Sequence, residues 1–216
     1  MKGDSIIVEP RHLKAARGIV TLITPQLEAS TAKLAITIAG QSGSGKSETA
    51  TALARALERE GTPSVILQQA DYFVHPPKTN DRTRREDIDW VGTGEVRLDL
   101  MDLHLAEFLK GAAELRKPLV DYEADEISEE TLDVGDARVM IAEGTYTTLL
   151  ANAATRVFID RDYRQTRSHR EKRSRDKAEL DHFIEQVLAI EHEIISGHKS
   201  LADIVVTSDY EAVANT

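Results

Sequence analysis

The run Gly40-Gln41-Ser42-Gly43-Ser44-Gly45-Lys46-Ser47 limits what this chain can fold into more than any other stretch. It fits G-x-x-x-x-G-K-[ST] and stands between an apolar run, Leu34-Ala35-Ile36-Thr37-Ile38-Ala39, and a segment in which Ala50, Leu53, Ala54 and Leu57 recur until Gly61. The first reads as a short buried strand and the second as a helix. In that order, glycine backbones can turn their N–H groups inward around phosphate oxygens, and the helix N-terminus adds the positive end of its dipole. Gly40, Ser42, Gly43, Ser44, Gly45, Lys46 and Ser47 are therefore the candidate nucleotide-binding residues, with Lys46 reaching the outer phosphates and the Ser47 hydroxyl facing Mg²⁺.

With 216 residues the chain can bury one sizeable core, so a single domain with a modest appendage is expected: an N-terminal helical extension over 1–32 and the loop-bearing domain over 33–216. The absence of cysteine excludes a disulfide framework, thiol catalysis and a cysteine zinc site. Met1 to Val8 carries no long apolar segment, and no stretch approaches the ~18 uninterrupted apolar residues of a membrane span. A soluble cytoplasmic protein without membrane partners is expected. Lys and Arg number 27 against 37 Asp and Glu, a net charge of −10. That balance repels extended polyanions and argues against a nucleic-acid partner.

Before the loop, Leu13, Ala16, Val20, Ile23 and Leu27 predict one docked helix, interrupted or kinked near Pro25, and serving packing or dimerisation. After it, Ser64 to Gln69 reads as a second strand that delivers Asp71-Tyr72-Phe73 at its C-terminal end, where ligands sit in open α/β sheets. A carboxylate there can accept a proton from a substrate hydroxyl or hold Mg²⁺, and the two rings can line a pocket; capping a turn is the competing role for Asp71. Residues 74–95 lack periodicity and read as a long surface excursion, a length that usually serves a site. Leu98, Met101, Leu105 and Phe108 mark an amphipathic helix whose His104 reads as an ordinary surface residue. Lys117 to Tyr122 is a short strand, and the acidic run Glu123 to Asp136 a solvated hairpin or loop. Ala137 to Ala142 is a third buried strand ending in Glu143-Gly144, which puts Glu143 where the Mg²⁺ shell is commonly held. Thr155 to Ile159 and Ala202 to Val206 complete five strands alternating with helices, the pattern of a mostly parallel α/β sheet.

Between the last two strands lies a basic segment in this acidic chain: Arg161, Arg164, Arg167, Arg170, Lys172, Arg173, Arg175 and Lys177, against Asp162, Glu171 and Asp176. A spacing of three drifts by about 60° per step around a helix of 3.6 residues per turn, so these arginines cannot all meet one ligand. Arg170, Arg173 and Arg175 are the candidate contacts, on a lid broken near Ser174. The remainder reads as a solvated, ion-paired face. A further amphipathic helix follows, with Leu180, Phe183, Ile184, Val187, Leu188 and Ile194 as its stripe.

Over roughly Lys33 to Val213 this set of landmarks resembles the uridine kinase and phosphoribulokinase group of P-loop small-molecule kinases. GQSGSGKS is close to that group's phosphate loop, Asp71-Tyr72-Phe73 to its acidic-x-aromatic motif, and Glu143-Gly144 to its strand-ending Glu-Gly. Arg170, Arg173 and the Arg173-Ser174-Arg175-Asp176 run look like a shortened form of its arginine-rich lid. The resemblance implies a P-loop NTPase-like fold, a mostly parallel sheet flanked by helices, with an arginine-rich lid. It implies ATP and Mg²⁺ as cofactors, Asp71 as general base, Ser47 and Glu143 on the metal side, and lid arginines clamping the phosphoryl group. Tyr72, Phe73 and Tyr122 are the candidate substrate contacts. The uridine branch carries a Tyr-Asp pair and then a base-contacting His, where this chain has Asp121-Tyr122-Glu123-Ala124-Asp125 and no His, so the acceptor expected is a nucleoside or sugar-like alcohol rather than uridine in particular. The partner is a small molecule, with a homo-oligomer left open. The rival reading is a nucleotide-binding regulatory module without turnover. A GTPase switch is disfavoured because no N-K-x-D guanine signature occurs.

Overall fold

The computed structural model describes residues 1–3, 6–166 and 182–215. In chain order the strands are β1 (Leu34–Gly40), β2 (Ser64–Gln68), β3 (Glu114–Asp121), β4 (Glu126–Asp133), β5 (Val139–Gly144), β6 (Thr155–Ile159), β7 (Ile204–Val206) and β8 (Ala212–Ala214). The helices of regular α geometry are α1 (Pro10–Ala29), α2 (Lys46–Arg59), α3 (Pro77–Glu86), α4 (Leu98–Leu109) and α5 (His182–Ile195). Six strands form the main sheet in the order β2-β5-β1-β6-β7-β8, all parallel except β8, which runs antiparallel to β7. β3 and β4 form a separate antiparallel hairpin.

Alternation along the strands divides the core between the two faces of this sheet, because successive side chains leave a pleat on opposite sides. Ile36, Ile38, Val139, Ile141, Val157, Ile159, Ile204 and Val206 join one cluster with α1 and α2. Ala35, Met140 and Ala142 join another with Met101, Leu105 and Phe108 of α4 and with Tyr72. β1 lies between β5 and β6, and from Ala35 onward it is buried throughout. A short apolar run with no polar side is what a strand covered on both faces requires.

Two readings of the sequence change in detail, those of Pro25 and of residues 74–95. α1 continues through Pro25 to Ala29 instead of being interrupted there. Its face of Ala15, Ala16, Ile19, Val20 and Ile23 is fully part of the core, packed beside α2. Residues 74–95 are not a bare excursion: they contain α3 and two short 3₁₀ turns. The buried residue of α3 is Asn80, and Glu95 is buried beyond it, so no apolar period is visible. The acidic run is a solvated hairpin, as expected: it supplies the mostly exposed second strand of β3–β4.

His104 is a correction: it is 3 % exposed, and its Nδ1 lies 2.8 Å from Tyr72 Oη. It stands three residues after Met101 on the inward stripe of α4, and burial lowers its pKa. The structure adds β8, three residues whose brevity gives too little pattern to read.

Gly18 marks how closely α1 sits on the sheet edge, since a Cβ there would lie 2.9 Å from the Ala212 Cβ. Gly18→Val is expected to destabilise the fold by about 1–3 kcal/mol through overpacking. Urea unfolding should show a lower midpoint at unchanged m-value. A midpoint equal to wild type would mean that α1 is not seated against β8.

Candidate active site

Parallel strands bring their C-terminal ends to one edge, and the expected site residues follow from that edge. β1 ends at Gly40 and runs into the glycine loop, while β2 leads into a 3₁₀ turn, Gln69–Tyr72, that carries Asp71. β5 ends at Glu143-Gly144, with Glu143 in register with both Ile38 and Gln68. Gly43 and Gly45 have φ of +73° and +95°. The second is the N-cap of α2, a left-handed position where a Cβ would be strained. It would also meet Tyr210 Oη at 2.9 Å and His12 Nε2 at 3.0 Å.

Side chains from distant segments hold the loop from behind. Tyr210 Oη donates to the Ser44 carbonyl (3.0 Å) and accepts from Arg161 Nη1 (2.7 Å). Thr166 Oγ1 donates to the Ser42 carbonyl (2.8 Å). Gln41 accepts from the Tyr163 amide through Oε1 and meets His192 Nδ1 through Nε2, both at 2.8 Å. His12, on α1, is fully buried; its Nδ1 accepts from the Glu9 amide, which leaves the proton on Nε2, the nitrogen facing Gly45. Arg161 thus backs the loop instead of contributing to a solvated face.

On the open side, Lys46 Nζ donates to the Gln41 carbonyl (3.0 Å), and Ser47 Oγ donates to Glu143 Oε1 (3.0 Å). Glu143 is 4 % exposed, and the Ser44 hydroxyl is fully buried without a hydrogen-bond partner among the described residues. Ser42, Gly43, Lys46, Ser47 and Glu143 all line a cavity of ≈ 320 Å³. Phe73, Arg84, Ile184, Leu188 and Glu191 line it as well. Gly144 belongs to the same wall, and only glycine fits there, because an added Cβ would fall 2.2 Å from the Gln69 Cβ. Gln69 Oε1 in turn accepts from the Tyr146 amide (2.8 Å), which locks the strand end to the turn before Asp71.

Asp71 is 2 % exposed and lies just behind the cavity wall made by Gln69 and Ala70. Its carboxylate accepts from Lys117 Nζ (2.8 Å) and the Val120 amide (3.1 Å), both on the hairpin, and the Met1 amino group lies 3.0 Å from Oδ1. Lys117 also pairs with Glu130 (2.7 Å) and is 4 % exposed.

Of the three aromatic candidates, Phe73 lines the cavity. Tyr72 is fully buried in the core against His104, and Tyr122 is half-buried near the hairpin tip beside Gly3. Neither belongs to the cavity wall. Arg170, Arg173 and Arg175 fall outside the described residues. Among the described residues no group of three or more His, Cys, Asp or Glu forms a metal cluster, and no helix is long and apolar enough to cross a membrane.

Sequence reasoning missed Arg84, Glu191 and Lys117. Lys117 had a signal: it shares the inward parity of Leu115 on β3. Arg84 sits in a charged run with no apolar period, and Glu191 reads as one more polar residue of an amphipathic helix.

Comparisons with known proteins agree with this geometry. The model of the phosphoribulokinase / uridine kinase family matches residues 35–190. The bifunctional alpha-galactosidase/sucrose kinase AgaSK of Mediterraneibacter gnavus is 31 % identical over 189 residues, which is 82 % of this chain and 20 % of that protein. The uridine kinase of Ureaplasma urealyticum serovar 10 is 31 % identical over 111 residues, 51 % of this chain and 52 % of the relative. The chain therefore spans about a fifth of the first relative and about half of the second. Among solved structures, a possible uridine kinase from Bacillus stearothermophilus superposes with a TM-score of 0.60 at 17 % identity, covering 88 % of this chain and 97 % of the other. The D-glycerate 3-kinase of Cryptococcus neoformans gives 0.59 at 10 %, covering 96 % and 100 %. At such identities the structures speak for the fold alone, whereas the family match runs from β1 into α5, past the glycine loop, Asp71 and Glu143: the chain belongs to the phosphoribulokinase / uridine kinase family.

Proposed function

We propose that this chain is an ATP- and Mg²⁺-dependent phosphotransferase that moves the γ-phosphoryl group to a hydroxyl of a small metabolite, a nucleoside or sugar-like alcohol. One observation carries the reading: the phosphate loop and a wall with both apolar and hydrogen-bonding groups share a single cavity. A regulatory nucleotide-binding module would need only the first half of it. Among relatives, the names uridine kinase and sucrose kinase support an alcohol acceptor.

The residues fit Mg²⁺ and a nucleotide. Ser47 and Glu143 present oxygens 3.0 Å apart, and oxygen ligands with retained water are what Mg²⁺ takes. The buried Ser44 hydroxyl and the glycine backbones leave a cradle that side chains would fill. When bound, Mg²⁺ neutralises phosphate charge at the transferring group. Lys46 sits at the loop mouth, its ammonium held by the Gln41 carbonyl and able to swing to phosphate oxygens. Arg170, Arg173 and Arg175 are proposed to clamp the transferring group, and closing over it would exclude water.

Asp71 is proposed to orient the acceptor hydroxyl and take its proton. Lys117 and the Val120 amide fix the carboxylate from the hairpin side. From the cavity side its donor is the Met1 amino group, at a place that a substrate hydroxyl would take over.

Lys46→Ala should lower turnover at least about tenfold, ~1.4 kcal/mol of barrier, and blunt the thermal shift given by ATP, with the apo melting temperature little changed. Full activity in that variant would remove the phosphate-loop assignment. Asp71→Asn should cost about 10²-fold in kcat while ATP affinity moves only a few fold. The variant should fold, because Glu130 still pairs with Lys117 at 2.7 Å. Retained turnover on that preparation would return Asp71 to a structural role. Alanine at Arg170, Arg173 or Arg175 should each lower the rate about tenfold, while Arg164→Ala should do little. Equal losses at all four would indicate a diffuse electrostatic surface in place of a lid.

A further inference from the structure

The second position of the phosphate loop carries a side chain that the G-x-x-x-x-G-K-[ST] pattern leaves unspecified. Gln41 is 7 % exposed, and a buried amide needs its hydrogen bonds made inside the protein. Its Oε1 accepts from the Tyr163 amide, just beyond β6, and its Nε2 meets His192 Nδ1 on α5, both at 2.8 Å. On the main chain of the same residue, the carbonyl accepts from the Ser44 amide (3.1 Å) and from Lys46 Nζ (3.0 Å). One residue thus joins the loop, the exit of β6, α5 and the loop lysine.

The roles of these atoms follow from the one that has no choice. A backbone N–H can only donate, so the Gln41 atom facing Tyr163 is the amide oxygen and the atom facing His192 is the NH₂ group. An NH₂ group donates, so His192 Nδ1 accepts and the imidazole carries its proton on Nε2. The Tyr163 ring stands 5.7 Å from that imidazole, centroid to centroid, and Arg164 lies over the tyrosine ring at 5.4 Å. His192 follows Leu188 by one helical turn on α5. Leu188 lines the cavity together with Ile184 and Val187, so the bond to Gln41 holds α5 beside its cavity-lining stripe. On the next loop residue, Thr166 Oγ1 donates to the Ser42 carbonyl (2.8 Å), a second tie to the segment after β6.

Loop amides bind phosphate tightly when the loop is already ordered, because a loop that orders on binding loses affinity by the cost of ordering. A side chain that only filled space at position 41 would need neither hydrogen bond, and leucine would replace it. Gln41 instead spends both ends of its amide on two separate elements, one before and one after the basic segment. We infer that Gln41 is a positioning residue: its side-chain amide ties the start of the phosphate loop to α5 and to the β6 exit, so that the nucleotide site and the α5 wall of the cavity hold one geometry. The His192 imidazole is the other half of that tie. The inference rests on the nucleotide-binding part of the proposed function and not on transfer to an acceptor.

Binding of the non-hydrolysable ATP analogue AMP-PNP with Mg²⁺ is measured by calorimetry on wild type, Gln41→Leu, His192→Phe and the double variant, each below its melting temperature. Each single variant should weaken the complex about fivefold or more, the scale of one lost hydrogen bond. The double variant should bind no more weakly than the weaker single one, because both substitutions remove the same bond. Gln41→Glu keeps an acceptor for the Tyr163 amide and should recover part of the affinity, with His192 moving its proton to Nδ1 to donate in turn. Nitrogen NMR of the imidazole reports that move. A bond that only stabilises the fold would lower the melting temperature and leave Kd intact. An unchanged Kd in either single variant, additive losses in the double variant, or a His192 proton already on Nδ1 in wild type would each overturn the inference. Wild type that fails to bind Mg²⁺ and AMP-PNP would remove the nucleotide reading itself, and the inference with it.

Discussion

The hydrogen bond from Tyr210 Oη to the Ser44 carbonyl holds the phosphate loop against the rest of the molecule. A loop whose amides must all point toward a ligand turns its carbonyls away, and those need donors from elsewhere in the fold. Tyr210 and Thr166 supply them from beyond the C-terminal ends of β7 and β6, and His12 closes the space behind Gly45 from α1. Tyr210 adopts a φ of +59°, a left-handed conformation unusual for a tyrosine. Its Oη is bridged between Ser44 and Arg161, contacts that hold the residue in that conformation. α1 lies outside the stretch shared with the family, yet its histidine packs against the loop that defines the family.

Charged groups lie along the same sheet edge in sets that mutually satisfy one another. Asp71, Lys117 and Glu130 form one, and Arg84, Glu95 and Glu191 another. Removing one member of a buried ion pair leaves a partner uncompensated, so such sets resist piecemeal change and are poor stabilisers compared with apolar packing. Their value here is position. The hairpin β3–β4 sits apart from the main sheet and reaches the site through Lys117 and the Val120 amide, so it fixes the Asp71 carboxylate. Asn80 and the Gly92 amide hold Glu95, and through it they orient Arg84.

Much of the fold was legible because the main-sheet strands are short apolar runs and the glycine loop is an unambiguous marker between strand and helix. β6 matches its expected bounds of Thr155 to Ile159, and the positions of Asp71 and Glu143 at strand ends follow from parallel topology. The donor half of the site was readable because its chemistry is local: eight consecutive residues make the loop. Of the other half only Phe73 was readable, from its place just after Asp71; Arg84 and Glu191 come from separate elements, and no spacing rule connects them. His104 was misjudged for a related reason. A polar residue at an inward helical position was taken at face value, although the stripe of Met101, Leu105 and Phe108 surrounds it. Tyr72 was expected beside substrate, but its ring completes the core and its hydroxyl is held by His104.

Direct transfer between two ligands in one cavity is the central claim, and the fate of a labelled phosphoryl group tests it most directly. In a single turnover with ATP carrying γ-³²P, Mg²⁺ and a bound alcohol acceptor, chromatography would separate labelled acceptor, labelled ATP and labelled inorganic phosphate. Transfer within a closed cavity predicts that the label moves into an organic phosphate ester, with little released as inorganic phosphate. Label that stays in ATP, or that leaves only as inorganic phosphate while the acceptor is bound, would contradict it.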